Sequence, residues 1–150
     1  MASTEFTHVG RPQLEEYASL EFILLGDLRD LLEEPSDELT CKWLRAVLDA
    51  LLDTLPRKFR LQEEGGYLSE VLEQYPNWYS QVDELHRQQR QLYAKLSRLR
   101  GRIAEEVSYE EIADSISDDL RAWMQSLLAY HRHERRMLQT AFNLEVGGGD

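Results

Sequence analysis

Apolar residues recur every three or four positions along four stretches of the chain. Such spacing places them on one face of an α-helix and leaves the opposite face polar. In the second stretch, Leu44, Leu48, Leu51 and Leu55 follow one another at steps of four, three and four residues. The pattern therefore predicts four long amphipathic helices, over residues 12–32, 37–64, 82–103 and 108–141.

Residues that begin or end helices separate the four stretches. Pro12 is a good first helical residue, and Ser108 begins a capping-box pattern at the fourth helix. Ser36 is expected to cap the second helix, which the glycines Gly65 and Gly66 are expected to end. The helix boundaries are thus predicted from local chemistry as well as from periodicity.

A shorter apolar segment at 67–74 predicts one or two further helical turns between the second and third long helices. No stretch of any length alternates apolar and polar residues as a strand does. Long helices with short connections favour an all-α fold, an antiparallel up-down-up-down four-helix bundle over residues 12–143. Residues 1–11 lack periodicity and are predicted to form a flexible N-terminal arm, and residues 144–150 a C-terminal tail.

The composition narrows the classes of partner. The 150 residues include 17 Lys and Arg against 28 Asp and Glu, a formal net charge of −11. This charge works against general binding to nucleic acid or to an anionic membrane. A lone cysteine, Cys41, cannot form an internal disulfide, and no signal peptide or long apolar run is visible. We therefore expect a cytoplasmic protein that binds neither nucleic acid nor membrane.

Basic residues collect on the third predicted helix, although the chain as a whole is acidic. One interpretation is a basic patch for an acidic partner. The other is a solvated helix face that complements acidic neighbours and the C-terminal end of its own helix. The residues are Arg87, Arg90, Lys95, Arg98, Arg100 and Arg102.

Polar residues interrupt the apolar faces of all four helices when each face is extended by the same spacing. Helix bundles place cofactor and metal sites in such a layer, because facing helices converge several side chains on one point. The alternative is that each side chain lies at the edge of its face and reaches out to water. The interrupting residues are Glu21 or Phe22 in the first helix, Lys58 and Gln62 in the second, Gln89 in the third, and Tyr130 and Glu134 in the fourth.

Three segments carry a resemblance to a known family. The runs KFRLQEEGGYLSEVLEQ, LHRQQRQLYAKL and LLAYHRHERRMLQTAFN resemble bacterial hemerythrin-like proteins, and the likeness covers about residues 14–150. The resemblance implies a four-helix bundle. In that family the bundle holds a di-iron centre, ligated by histidines and carboxylates, that binds or senses oxygen and related small molecules.

Most of the ligand positions of that family carry other residues here. The histidine and glutamate of its second helix correspond to Lys58 and Gln62. The histidines of its third and fourth helices correspond to Gln89 and Tyr130, and the Glu-His pair of its first helix corresponds to Glu21-Phe22. The resemblance therefore supplies a fold and leaves the iron chemistry of the family without its ligands.

One acidic ligand position of the family is kept, at Glu134. A lysine ammonium at such a centre repels a metal ion instead of binding it. We therefore predict no metal and no cofactor. The ammonium of Lys58 is predicted to take the metal position and pair with Glu134, while Gln62, Gln89 and Tyr130 complete the hydrogen bonds.

The expected function is a non-enzymatic interaction, regulatory or structural role with an unidentified protein partner, and the oligomeric state stays open. One alternative is iron binding with oxygen or small-molecule sensing through a non-standard site, built from Glu134 with Glu21, His131 or His86. A slip in helix register would be needed to bring those two histidines inward. The other alternative is a polar pocket that binds a small molecule.

Overall fold

The computed structural model of the protein describes the backbone of residues 2–65, 67–104 and 108–147, and the side chains of 12–64, 70, 72–104, 108–141 and 143 within them. These residues form no strand, so the prediction of an all-α fold is confirmed. The segment at 67–74 is helical, as predicted. The helices are α1 (Ala2–Glu33), α2 (Glu38–Gly65), α3 (Tyr67–Gln74), α4 (Tyr79–Arg102) and α5 (Tyr109–Gly147), with a short 3₁₀-helix at Pro76–Trp78.

Two helices extend beyond the ends that the pattern indicates. Helix α1 begins at Ala2, so Pro12 lies inside it and helical backbone covers most of the expected N-terminal arm. Helix α5 reaches Gly147, within the expected tail at 144–150, of which residues 148–150 lie outside the described part. Apolar periodicity reports packing on a core, and residues 2–11 carry none, so the pattern gave no signal for the first turns of α1.

The cap of α2 differs from the predicted one by a single residue. The Asp37 carboxylate, not the Ser36 side chain, accepts a hydrogen bond from the backbone N–H of Thr40, at 2.8 Å. This bond satisfies a donor that the first helical turn leaves open. The hydrogen bonds from Thr40 hold the pKa of Asp37 below its usual value. At Ser108, the N–H of Glu111 donates to the backbone carbonyl of Ser108 at 3.2 Å, and not to its side chain as the predicted capping box requires.

A single hydrophobic core is built from the leucine faces of the four long helices. Leu28, Leu48, Leu96 and Leu120 are fully buried in it, one from each long helix. Helix α1 packs along α2, α4 packs along α5, and α2 also contacts α4. Trp123 is fully buried, and its indole N–H donates to the carbonyl of Leu92 at 2.9 Å, so this polar group is satisfied inside the core.

Ion pairs occupy part of the basic cluster on α4. Arg100 pairs with Asp49 of α2 at 2.7 Å, and Arg102 pairs with Asp119 of α5. These contacts use the end of α4 to join neighbouring helices. Arg87 pairs with Glu84 one turn away on its own helix. For these three arginines, the structure agrees with a face that complements acidic neighbours.

No helix in the described part of the chain has an apolar stretch of the length that crossing a bilayer requires.

Candidate functional site

The first helix directs Glu21, and not Phe22, into the interior. Glu21 is 2% exposed, whereas Phe22 is 79% exposed. Successive residues of a helix point about 100° apart, so only one of the two adjacent side chains can face the core. Placing Phe22 in the polar layer was therefore wrong.

Lys58 of α2 is buried and is paired with Glu21 of α1. Lys58 is 6% exposed, and its ammonium donates a hydrogen bond to Glu21 Oε2. The predicted partner was Glu134, so this pairing is corrected by the structure. The helical spacing indicates which residues face inward but not which helices are neighbours, and α1 packs along α2.

The second oxygen of the same carboxylate contacts a histidine. His131 Nε2 lies 2.7 Å from Glu21 Oε1. Because a carboxylate only accepts, the proton of this hydrogen bond is on the imidazole nitrogen. Lys58, Glu21 and His131 thus form one hydrogen-bonded unit of three helices, the ion cluster. Helix α5 continues without a break through residues 130 and 131, so His131 contacts Glu21 without the slip in register that its inward position was expected to need.

The charge of Glu21 is favoured by its partners. Burial raises the pKa of the carboxyl, but the hydrogen bond from His131 and the nearby charge of Lys58 outweigh it, and the pKa lies below its ordinary value of 4.5. Glu21 is therefore ionised at neutral pH. Burial of an ion pair is costly in itself, so the cluster depends on all of its hydrogen bonds being made.

A second polar unit, the amide–phenol chain, lies next to the ion cluster. Gln89 Nε2 donates to the Tyr130 hydroxyl at 2.6 Å, and that hydroxyl donates to Glu134 Oε2 at 2.9 Å. Burial, and then the charge of Glu134, raises the pKa of Tyr130 far above its ordinary value, so the phenol keeps its proton and remains a donor. The ring of Tyr130 lies 5.5 Å from that of His131, which brings the two units together.

Aromatic packing holds Tyr130 in this position. Phe59 of α2 meets its ring edge to face, with centroids 5.8 Å apart. This geometry is favourable for aromatic pairs. Gln62, one turn further along α2, is half-buried, and its Oε1 has no hydrogen-bond partner among the described residues. Within the described residues, Gln62 therefore makes no hydrogen bond to either polar unit.

The structure brings six of the seven predicted residues into the interior or its border. Four are buried and two are half-buried, and Phe22 alone points outward. His131 was foreseen only for a non-standard metal site that needed a slip in register. A signal for it existed, because it follows the inward-facing Tyr130 and has a side chain that can reach from the edge of the helix face. The inward residues are Glu21, Lys58, Gln89 and Tyr130, with Gln62 and Glu134 at the border.

The residues of the alternative metal set are divided between different contacts. Glu21 and His131 touch each other, Glu134 accepts from Tyr130, and His86 Nδ1 lies 3.5 Å from Glu63 Oε1. Over the described ranges, no group of three or more His, Cys, Asp or Glu side chains is placed to hold a metal ion.

Two clefts flank α4 beside these polar units. One, between α2 and α4, has a volume of about 370 Å³ and includes His86 and Gln89 in its lining. The other, between α4 and α5, has a volume of about 350 Å³ and includes Tyr130 and His133. The Gln89 to Tyr130 hydrogen bond thus joins residues that line different clefts.

Comparison of the chain with family models, with curated proteins and with solved structures gives no match in any of the three.

Proposed function

We propose that the protein is a hemerythrin-like, antiparallel four-helix bundle in which an internal ion cluster stands where that family holds iron, and that it serves a non-enzymatic interaction, regulatory or structural role. The observation that carries the proposal is the ammonium of Lys58 on the carboxylate of Glu21. It supplies a positive charge at the point where a metal would need an anionic ligand.

The donor set around this point does not fit a di-iron centre. Such a centre takes most of its ligands from imidazoles and carboxylates. Here Lys58 supplies an ammonium, Gln89 an amide and Tyr130 a phenol. The imidazole of His131 is hydrogen-bonded to one oxygen of Glu21, and the other oxygen accepts from Lys58. The chemistry of these side chains therefore supports a structural centre, and no reaction step is assigned to it.

Exposed aromatic side chains support an interaction role. Phe22, Trp43 and Tyr79 lie on three different helices and are 79%, 56% and 66% exposed. Aromatic residues are enriched in protein–protein interfaces relative to the rest of the protein surface. Together with the lone, buried Cys41, this agrees with a protein that works through binding in a reducing compartment such as the cytoplasm.

The direct test is the iron and zinc content of untagged protein, produced in iron-supplemented medium and never exposed to chelator, by elemental mass spectrometry. We expect far less than one metal ion per chain. About two irons per chain, with absorption bands of oxo-bridged iron, would overturn the proposal.

A second experiment tests whether the helices of this protein correspond to those of hemerythrin-like proteins. The quadruple variant Lys58→His/Gln62→Glu/Gln89→His/Tyr130→His restores the ligand types of the family at four of the corresponding positions. If the bundle is hemerythrin-like, this variant gains bound iron while the parent protein does not. A folded variant that binds no more iron than the parent would count against the correspondence of positions.

The contact of 2.7 Å between Glu21 and His131 favours one alternative, a metal site that uses these two side chains. Such a site would require Lys58 to leave Glu21. Under this alternative, Lys58→Met would raise metal content and His131→Ala would abolish it. Under our proposal, neither variant changes it.

A further inference from the structure

The cleft between α2 and α4, which we call the α2/α4 cleft, combines apolar walls with two opposite charges. Pro56 and Phe59 of α2 and Tyr93 of α4 supply its apolar surface. Glu63 and Arg90 line the same cleft from the two helices. Its volume of about 370 Å³ suits a small molecule, since ligand pockets usually measure about 300–1,000 Å³.

The two charged side chains of this cleft do not pair with each other. Within the described residues, no ion pair joins Glu63 and Arg90, and Glu63 Oε1 instead lies 3.5 Å from His86 Nδ1. Both side chains are exposed at the rim. Opposite charges that share a cleft without pairing can each take a group of opposite sign from one ligand.

The inner wall of the cleft has unused hydrogen-bonding capacity. The amide nitrogen of Gln89 donates to Tyr130, and no hydrogen bond within the described residues reaches its amide oxygen. An amide oxygen has lone pairs for two hydrogen bonds, so this wall suits a ligand that carries a donor.

From these observations we propose that the α2/α4 cleft binds a free amino acid with an aromatic side chain. Its carboxylate pairs with Arg90, its ammonium pairs with Glu63 and the oxygen of Gln89, and its ring lies between Phe59 and Tyr93. A zwitterion uses both rim charges at once, which neither an acid nor an amine alone can do. The site shares Gln89 with the amide–phenol chain but contains no member of the ion cluster, and its test measures ligand binding instead of metal content.

The test compares three related probes by isothermal titration calorimetry. L-Phenylalanine carries both charges, phenethylamine lacks the carboxylate, and 3-phenylpropionate lacks the ammonium. We expect phenylalanine to bind about 10- to 150-fold more tightly than either, because each lost charge-assisted hydrogen bond costs about 1.5–3 kcal/mol and about 1.4 kcal/mol is a factor of ten. Equal affinity for all three, or no binding of phenylalanine at millimolar concentration, would overturn the proposal.

Two charge variants assign each half of the ligand. Arg90→Gln should remove the preference for phenylalanine over phenethylamine, and Glu63→Gln should remove the preference over 3-phenylpropionate. Arg98→Gln, an exposed arginine on the same helix outside the cleft, is the matched control and should keep both preferences. Unchanged preferences in both cleft variants would contradict the assignment.

Imidazole resonances locate the bound molecule. His86 lines the α2/α4 cleft, and His133 lines the cleft between α4 and α5. In ¹H–¹⁵N spectra, phenylalanine should shift the signals of His86 and leave those of His133 unchanged. A shift of His133 alone would place the ligand in the other cleft and refute the proposed site.

Discussion

The two polar units of the interior differ in how many charges they contain and in how deeply those charges are buried. In the ion cluster, the charge of Glu21 is buried between Lys58 and His131. In the amide–phenol chain, Gln89 and Tyr130 are neutral, and the only charge belongs to the half-buried Glu134. Removing Lys58 from the first unit leaves a buried charge without its cation, whereas removing the Tyr130 hydroxyl from the second leaves the neutral amide of Gln89 and the half-buried carboxylate of Glu134, which are far cheaper to leave without that partner.

The largest effect is expected when the ion cluster loses its lysine. Lys58→Met leaves Glu21 buried without its cation, so the free energy of unfolding should fall by about 3–5 kcal/mol. Urea denaturation followed by circular dichroism measures it. Lys42→Met, at an exposed position of the same helix, is the matched control and should change stability by less than about 0.5 kcal/mol. A loss from Lys58→Met no larger than the control would mean that the pair contributes nothing.

Double-mutant cycles show which acid the lysine needs. Lys58→Met combined with Glu21→Leu should destabilise less than the sum of the single changes, with a coupling energy of about 0.5–3 kcal/mol. Lys58→Met combined with Glu134→Ala should be additive within about 0.5 kcal/mol. Denaturation of the three single variants, the two double variants and the parent protein gives both values, and the reverse ranking would restore the pairing with Glu134.

The amide–phenol chain should respond more weakly. Tyr130→Phe removes the hydroxyl that accepts from Gln89 and donates to Glu134, at an expected cost of about 1–3 kcal/mol. Tyr79→Phe, in which the hydroxyl is at the surface, is its control and should be nearly neutral. If Tyr130→Phe were as damaging as Lys58→Met, the distinction between the two units would fail.

Lowering the pH should remove the stability that the ion cluster contributes, because it protonates Glu21. Its pKa is lowered, so its ionised form stabilises the fold above the ordinary value of 4.5, and this contribution is lost as the pH falls below 4.5 and through the lowered pKa. Glu21→Gln should be less stable than the parent at neutral pH, and the gap should narrow in acid. Denaturation midpoints over a descending pH series measure the gap, and a constant one would argue against a lowered pKa.

The smallest effect is expected outside both units. Phe22→Ser replaces a side chain that lies almost wholly in solvent, so the free energy of unfolding should change by no more than about 0.5 kcal/mol. The same measurement tests it. A large loss would mean that Phe22 packs against something and that its outward direction is not the one used in solution.

The helices and their inward faces could be predicted because both follow from spacing along the chain. The leucines of α2 and the inward direction of Lys58 and Tyr130 are read from steps of three and four residues. Which side chains then meet depends on how the helices lie against one another, and spacing within a helix carries no such information. For that reason Lys58 was given Glu134 as its partner, while Glu21 is the residue in contact.

The misses at Phe22 and His131 have a related cause. A helix face is broad, so a residue at its edge is assigned by the apolar pattern to one side or the other with little to decide it. Glu21 and Phe22 differ by one position, and a long side chain such as that of His131 can reach inward from the edge. The N-terminal part of α1, which begins at Ala2, could not be predicted because residues 2–11 carry no apolar periodicity.

The depth of Trp123 has a spectroscopic consequence. The three tryptophans of the chain differ in their surroundings: Trp123 is fully enclosed, Trp78 is half-buried and Trp43 is more than half exposed. An aqueous quencher such as iodide reaches only exposed indoles, so it should dim the red-shifted part of the emission from Trp43 and leave a blue-shifted remainder from Trp123. Loosening of the core around Trp123 can therefore be followed without an added label, as an increase in the fraction of tryptophan emission that iodide quenches.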